Sequence, residues 1–215
     1  MVHIGEGSVV CATAILEGDV SIGHRTIVHP LARIIAKTGP IVIGDNNIIE
    51  EKVEIINDSP GEKVMIIGSG NVFQASCSVR SLKIGNNNVM ESGSHLGLHT
   101  VLPYGNVITA GCRVEVKEVL PELAILYSLA GCEERRLGTG PPPDTEQEVE
   151  LLAKLLPNYH QLLPTDKTSG AQTDRADHSQ EIKPSSSTAS LSSTAKSFVR
   201  FKSLLHSNTS LRRNK

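Results

Sequence analysis

The chain has 215 residues, of which 39% are hydrophobic and only 3% aromatic, with no Trp; that length suits one large domain or two small ones, built on an aliphatic and thin core. No apolar run approaches the roughly 18–20 residues that cross a bilayer, so no membrane insertion is expected. The net charge of −2 is unevenly divided: residues 1–163 carry 12 Lys and Arg against 19 Asp and Glu, and residues 164–215 carry 9 against 4, so an acidic body would repel phosphate and nucleic acid is not an expected partner.

The first segment, Met1-Val2-His3-Ile4-Gly5-Glu6, has neither the basic nor the apolar region of a leader. The four cysteines, Cys11, Cys77, Cys112 and Cys132, form no CxxC pair, which argues against a zinc ribbon, a redox motif or a disulfide framework and suits a reducing compartment. From Ile4 onward one period dominates. Ile4, Val10, Leu16, Ile22, Val28 and Ile34 recur every six residues, then Ile43, Ile49 and Ile55, then Ile67, Phe73 and Val79, and finally Ile84, Met90, Leu96, Leu102, Ile108, Val114, Leu120 and Leu126; all twenty are apolar. Two residues before them stand small or amide side chains, among them Ser8, Ala14, Thr26, Ala32, Asn47, Asn71, Cys77, Asn88, Ser94, Thr100, Asn106, Cys112 and Ala124; Val2, Val20 and Val53 are larger, and Glu118 breaks the pattern.

An offset of two residues between inward positions is a short strand, and the rest of the six-residue step turns a corner. Three sides make one coil. With Gly following the aliphatic residue at Gly5, Gly23, Gly44, Gly68, Gly85 and Gly97, the pattern resembles the hexapeptide-repeat, left-handed parallel β-helix family. The expected fold is an all-β solenoid of about seven coils, roughly 30 Å long at about 4.8 Å per coil, with Ile22, Val28, Ile34, Ile43, Ile49, Ile55, Ile67, Phe73, Ile84, Leu96 and Ile108 in its core.

Three departures interrupt the period: three extra residues between Ile34 and Ile43, six between Ile55 and Ile67, and one fewer between Val79 and Ile84. Each follows a complete triplet of sides, which puts them all at one corner carrying Thr38-Gly39-Pro40 and Asn57-Asp58-Ser59-Pro60-Gly61-Glu62-Lys63. That edge is either a tolerated loop or a contact for a partner. On the next side, Gly44-Asp45-Asn46-Asn47, Gly68-Ser69-Gly70-Asn71 and Gly85-Asn86-Asn87-Asn88 share residues that tolerate positive φ. Asn47, Asn71, Asn88 and Asn106 are expected to stack as an inward amide ladder, each bonded to the neighbours above and below, in a structural role.

Past the β-helix of residues 1–132, a Pro-rich linker is expected at 133–144, with Pro141-Pro142-Pro143 stiffening it. A helix should follow within 145–163: Thr145-x-x-Glu148 reads as a capping box, Val149, Leu152, Ala153 and Leu156 share a face, and Pro157 ends it. One such helix must pack back on the solenoid, with Tyr159 as an anchor. Among residues 165–215, 18 are Ser or Thr, so 164–215 reads as a disordered basic tail, in which Arg200-Phe201-Lys202-Ser203 makes Ser203 a candidate phosphorylation site.

The fold hosts two kinds of enzyme, and each leaves a testable trace. His24-x4-His29 and Gly18-Asp19-Val20-x-Ile22-Gly23 resemble the γ-class carbonic anhydrases. But Glu17 stands where that family has Arg, Ile49-Glu50 where a Gly-His is expected, and residues 30–94 hold no His, so the zinc ligand set is broken and no metal or other cofactor is expected. Hexapeptide acyltransferases use a His as general base, for which His95 and His99 are candidates; both should be solvated, and Lys117-Glu118-Val119-Leu120-Pro121 matches that family's closing segment only loosely. No catalytic residue is therefore assigned. The first coil begins at Val2 with no cap before it, so its open end is expected to be covered by another protein, by strand addition at Val2 to Val10.

A more specific resemblance rests on Gly18-Asp19-Val20-x-Ile22-Gly23-x-Arg25-Thr26-x-Val28-His29-Pro30, Ala32-Arg33-Ile34-Ile35-Ala36, Gly39-Pro40-Ile41-Val42-Ile43-Gly44, Met65-Ile66-Ile67-Gly68-x-x-Asn71-Val72-Phe73 and Leu156-Pro157-Asn158-Tyr159-His160. Together these resemble the small pointed-end subunits of dynactin, the subunit 6 family, over about residues 2–163. The departures are Glu17, a shorter loop at Asn57 to Lys63 and a longer tail. The resemblance implies a non-catalytic cytoplasmic scaffold of the cytoskeleton. Its partners would be a second β-helical pointed-end subunit, an actin-related protein and other dynactin subunits, with dynein adaptors reached indirectly.

Overall fold

A computed structural model of the chain describes residues 1–115, 117–128 and 145–165 in full, and the backbone of 129 and 132–137. Short strands separated by tight corners wind into a parallel β-helix with three faces. The first face stacks β1 (Val2–Ile4), β4 (Val20–Ile22), β7 (Ile41–Ile43), β10 (Met65–Ile67), β13 (Lys83–Ile84) and β16 (Val101–Leu102). The second stacks β2 (Val9–Val10), β5 (Ile27–Val28), β8 (Ile48–Ile49), β11 (Val72–Phe73), β14 (Val89–Met90), β17 (Val107–Ile108), β19 (Ala124–Leu129) and β20 (Cys132–Leu137). The third stacks β3 (Ile15–Glu17), β6 (Arg33–Ala36), β9 (Glu54–Asn57), β12 (Ser78–Val79), β15 (His95–Leu96) and β18 (Arg113–Val114).

The register follows the aliphatic period. Ile4, Ile22, Ile43, Ile67, Ile84 and Leu102 are aligned on the first face. Val10, Val28, Ile49, Phe73, Met90, Ile108 and Leu126 are aligned on the second. Leu16, Ile34, Ile55, Val79, Leu96 and Val114 are aligned on the third. These columns meet along the axis as a single apolar core, which includes Ile22, Val28, Ile34, Ile43, Ile49, Ile55, Ile67, Phe73, Ile84, Leu96 and Ile108, each at most 2% exposed. Glu118 lies at the last coil of the first face, where Val119 bridges Val101 and no further strand pairs among the described residues, and it is half-buried.

The glycines that follow the inward residue serve close approach. A Cβ on Gly23 would lie 2.6 Å from the backbone carbon of Gly44 in the next coil, a distance that only a bare Cα allows. The left-handed conformation falls two residues later, at Asn46 (φ 53°), Gly70 (φ 68°) and Asn87 (φ 56°).

Three expectations are corrected beyond the last complete coil. The strand β20 runs antiparallel to β19, from Ala124 opposite Leu137 to Leu129 opposite Cys132, so the start of the expected linker at 133–144 is instead the closing strand of the second face; its remainder lies outside the described residues. The helix α1 (Glu146–Leu155) begins at Thr145, but no side-chain cap bond forms there; Thr145 is buried and its carbonyl accepts the Val149 amide. Tyr159 is 72% exposed and anchors nothing. The helix is held by Val149, Leu152 and Leu156, all buried, and it lies against β5.

A fourth correction concerns the first coil. Its end is not left wholly open for another protein, because the chain returns to it: Ala12 N–H donates to the Gln161 carbonyl at 2.7 Å, Leu163 N–H donates to the Val10 carbonyl at 2.8 Å, and Leu162 bridges Cys11 antiparallel. The edges of β1 and β3 carry no such strand among the described residues. The tail beyond residue 165, with Ser203, lies outside the described residues.

Candidate interaction surface

The histidines do not converge. His24 is exposed, whereas His29 is buried and its Nδ1 donates to Glu51 Oε1 at 2.9 Å, clamping two successive coils. Among the described residues no group of three or more His, Cys, Asp or Glu could hold a metal ion. His99 is exposed, but His95 departs from the solvated position expected for it. Its side chain is 15% exposed and lies 3.4 Å from Glu115, which also accepts from Arg113 at 2.7 Å. Burial, followed by the charge of Arg113, holds the His95 imidazole below its usual range, while Glu115 pulls the other way. A neutral His on a strand could serve as a base, but only with a substrate-sized cavity and an orienting partner, and the Glu115 carboxylate beside it is tied to Arg113.

The polar interior is bonded lengthwise. Asn71 N–H and Nδ2 both donate to Asn47 Oδ1, at 2.9 and 3.0 Å; Asn88 repeats this on Asn71 at 2.9 and 3.0 Å, and Asn106 on Asn88 at 2.9 and 3.2 Å. Each carbonyl oxygen thus satisfies two donors of the next coil, and the amides are 0–1% exposed. The column extends past the asparagines. Ser8 Oγ donates to the Gly23 carbonyl and accepts the Thr26 amide, Thr26 Oγ1 donates to the Gly44 carbonyl, and Ala124 N–H closes the far end on Asn106 Oδ1. Such a column ties coils together and offers nothing to a ligand.

The irregular corner is equally ordered. Asn57 is fully buried; its Nδ2 donates to the carbonyls of Gly39, Pro40 and Lys63 at 2.9, 3.1 and 2.7 Å, and its Oδ1 accepts from Ser59 Oγ at 2.9 Å. Thr38 Oγ1 donates to the Ser59 carbonyl at 2.7 Å, and Arg80 pairs with Asp58. One amide therefore fastens both loops, a role hidden in the sequence because Asn in a Gly- and Pro-containing stretch reads as an ordinary turn residue.

The outward side chains differ from face to face. On the second face Val9, Ile27, Ile48 and Val72 are buried, and Ile27 belongs to the strand that α1 touches. The third face is charged: Arg33 donates to Glu54 at 2.6 Å, and Arg113 and His95 share Glu115. The first face presents one row in register, Ser21, Val42, Ile66, Lys83 and Val101, with Val119 bridged beyond it. Val42 is 41%, Ile66 51% and Val119 68% exposed, and Val64, at 44%, joins this row to the corner fastened by Asn57. A row that exposes Val42, Ile66 and Val119 beside Ser21 and Lys83 is suited to contact with a macromolecule.

No family model matches the chain. Over 179 residues it is 45% identical to dynactin subunit 6 of Danio rerio, covering 79% of this chain and 91% of that one. Dynactin subunit 6 of Nematostella vectensis is 45% identical over 174 residues, covering 77% and 94% of the two chains. That of Caenorhabditis elegans is 33% identical over 171 residues, 75% of this chain and 88% of its own. Among solved structures, a UDP-N-acetylglucosamine acyltransferase from Bacteroides fragilis is similar with a TM-score of 0.48 and 21% identity, covering 62% of each chain. A putative acetyltransferase from Bacillus cereus is similar with a TM-score of 0.37 and 15% identity, covering 71% of this chain and 91% of its own.

Proposed function

Since the chain belongs to the dynactin subunit 6 family, whose members bear the name of a subunit of a complex and not of an enzyme, we propose that it is a non-catalytic scaffold at the pointed end of the actin-related filament. There it stands in the cytoplasm, on the cytoskeleton, beside a second β-helical subunit, and helps dynein adaptors and cargo attach. The observation that carries this reading is the difference among the three faces. One carries the chain's own helix against β5 and one carries ion pairs, whereas the first leaves Val42, Ile66 and Val119 in solvent. A second β-helix has the same repeat of about 4.8 Å between strands, so its side chains would interdigitate with this row coil by coil.

The test is affinity purification of the intact chain with mass spectrometry, alongside Ile66→Glu. Recovery of actin-related proteins and a second β-helical protein with the wild type, and their loss with Ile66→Glu at an unchanged thermal midpoint, supports the reading. A lone homotrimer that turns over acyl-CoA refutes it. Truncation after Pro164 should leave co-purification intact, whereas complete loss would move the main interface into the tail.

A further inference from the structure

The strand β2 is the outermost of the second face, and an outermost strand of this kind accepts a strand from another chain. Here residues 161–163 take that place. Leu163 adds an apolar contact, packing against the core cluster, and Cys11, opposite Leu162, is fully buried. The direction of the pairing is informative. Coil follows coil in parallel, so a neighbour that continued the stack would add a parallel strand; this segment pairs antiparallel. An antiparallel strand is what a second copy brings when two N-terminal ends meet across a two-fold axis, because that operation sets β2 against a reversed β2. The apolar side chains around it suit such a contact, with Met1 83%, Val2 40%, Ile15 42% and Leu162 37% exposed. The opposite end of the same sheet is closed in the same manner, by antiparallel β20.

We propose that residues 161–163 are a self-supplied cap, occupying the edge of β2 on which a second copy of this chain would otherwise pair end to end, and so keep the subunit single. The helix makes the cap effective. Leu156, buried with Val149 and Leu152, tethers the segment five residues from Gln161. A short tether gives an effective concentration on the order of millimolar, which outcompetes a second copy at micromolar concentration.

The experiment uses the full chain and Leu163→Pro, which deletes the N–H that donates to Val10 while suiting an extended backbone. Sedimentation velocity is run over a concentration series, with residue-resolved amide exchange at each concentration. The amides of His29 and Glu50, bonded to Ile49 and Phe73 at 2.9 Å each, are the internal reference. Expected for the variant is Ala12 exchange faster by about tenfold when dilute, renewed protection of Ala12 as concentration rises, and self-association that the wild type does not show. Fast Ala12 exchange in a variant that stays single at every concentration would overturn the proposal. So would unchanged Ala12 exchange, equal self-association of the wild type, or loss of protection at His29 and Glu50, which would make the segment a part of the fold and not a removable cap.

Discussion

Replacing Asn71 by Ala takes one carboxamide from the middle of the buried column, and the structure gives the consequences bond by bond. Asn71 Oδ1 is the acceptor for Asn88 N–H at 2.9 Å and Asn88 Nδ2 at 3.0 Å, and Asn71 Nδ2 donates to Asn47 Oδ1 at 3.0 Å. After the substitution Asn88 Nδ2 keeps the Pro103 carbonyl at 2.9 Å, and Asn47 Oδ1 keeps the Asn71 backbone amide at 2.9 Å. Asn88 N–H keeps nothing, in a residue 1% exposed. An orphaned buried amide costs about 1–3 kcal/mol and each of the two lost side-chain bonds about 0.5–1.5 kcal/mol net, so the variant should be destabilised by about 2–6 kcal/mol. For a domain of this size, at about 2–4 °C per kcal/mol, that lowers the midpoint by about 4–24 °C. The assay is thermal unfolding followed by far-ultraviolet circular dichroism, with Asn46→Gly as a control that suits the left-handed φ of 53°. A midpoint for Asn71→Ala within about 2 °C of wild type would refute the view that the column is a main tie between coils.

Ile49→Asp places a charge at a fully buried position in the apolar column between Val28 and Phe73; it should cost about 4 kcal/mol or more and abolish cooperative melting near the wild-type midpoint, and an unchanged melt would refute the register. Gly23→Ala should destabilise more than Gly93→Ala, because its Cβ meets the Gly44 backbone at 2.6 Å whereas nothing lies within 4 Å of a Cβ on Gly93, where the cost is that of a φ of +69°; equal chemical-denaturation midpoints would contradict the close stacking of coils. His95, held below its usual value near 6.5 by burial and Arg113, binds fewer protons folded than unfolded. Its contribution is therefore present above that value and lost on acidification, so His95→Gln should flatten the fall of the midpoint between about pH 7 and 5; identical slopes would exclude it. His24→Ala, at an exposed position, should change neither the midpoint nor the metal content by elemental analysis, and stoichiometric zinc in the wild type that this variant loses would reverse the reading of the site.

The solenoid was legible because its cause is local. A period of six residues sets two inward positions and a corner on every side, and the same short pattern decides the strand, the turn and the register at once. Insertions that always follow a third side must share a corner whatever else the chain does. Family membership was legible for the same reason, since motifs such as Met65-Ile66-Ile67-Gly68 record which coils stack on which. The rest depended on segments far apart in sequence. The pairing of Leu162 with Cys11 uses main-chain groups that every residue carries, so nothing in Leu156-Pro157-Asn158-Tyr159-His160 marks the strand that follows, and Tyr159, the aromatic that looked like an anchor, stands in solvent. The hairpin of β19 and β20 is likewise a backbone pairing, invisible beneath Glu133-Glu134-Arg135-Arg136. Outward Ile27, Val42 and Ile66 are equally apolar in the sequence; Ile27, on the strand that the helix lies against, is buried, and Val42 and Ile66 are exposed, because a residue's position in the repeat decides which face it is on and only tertiary contact decides what covers that face.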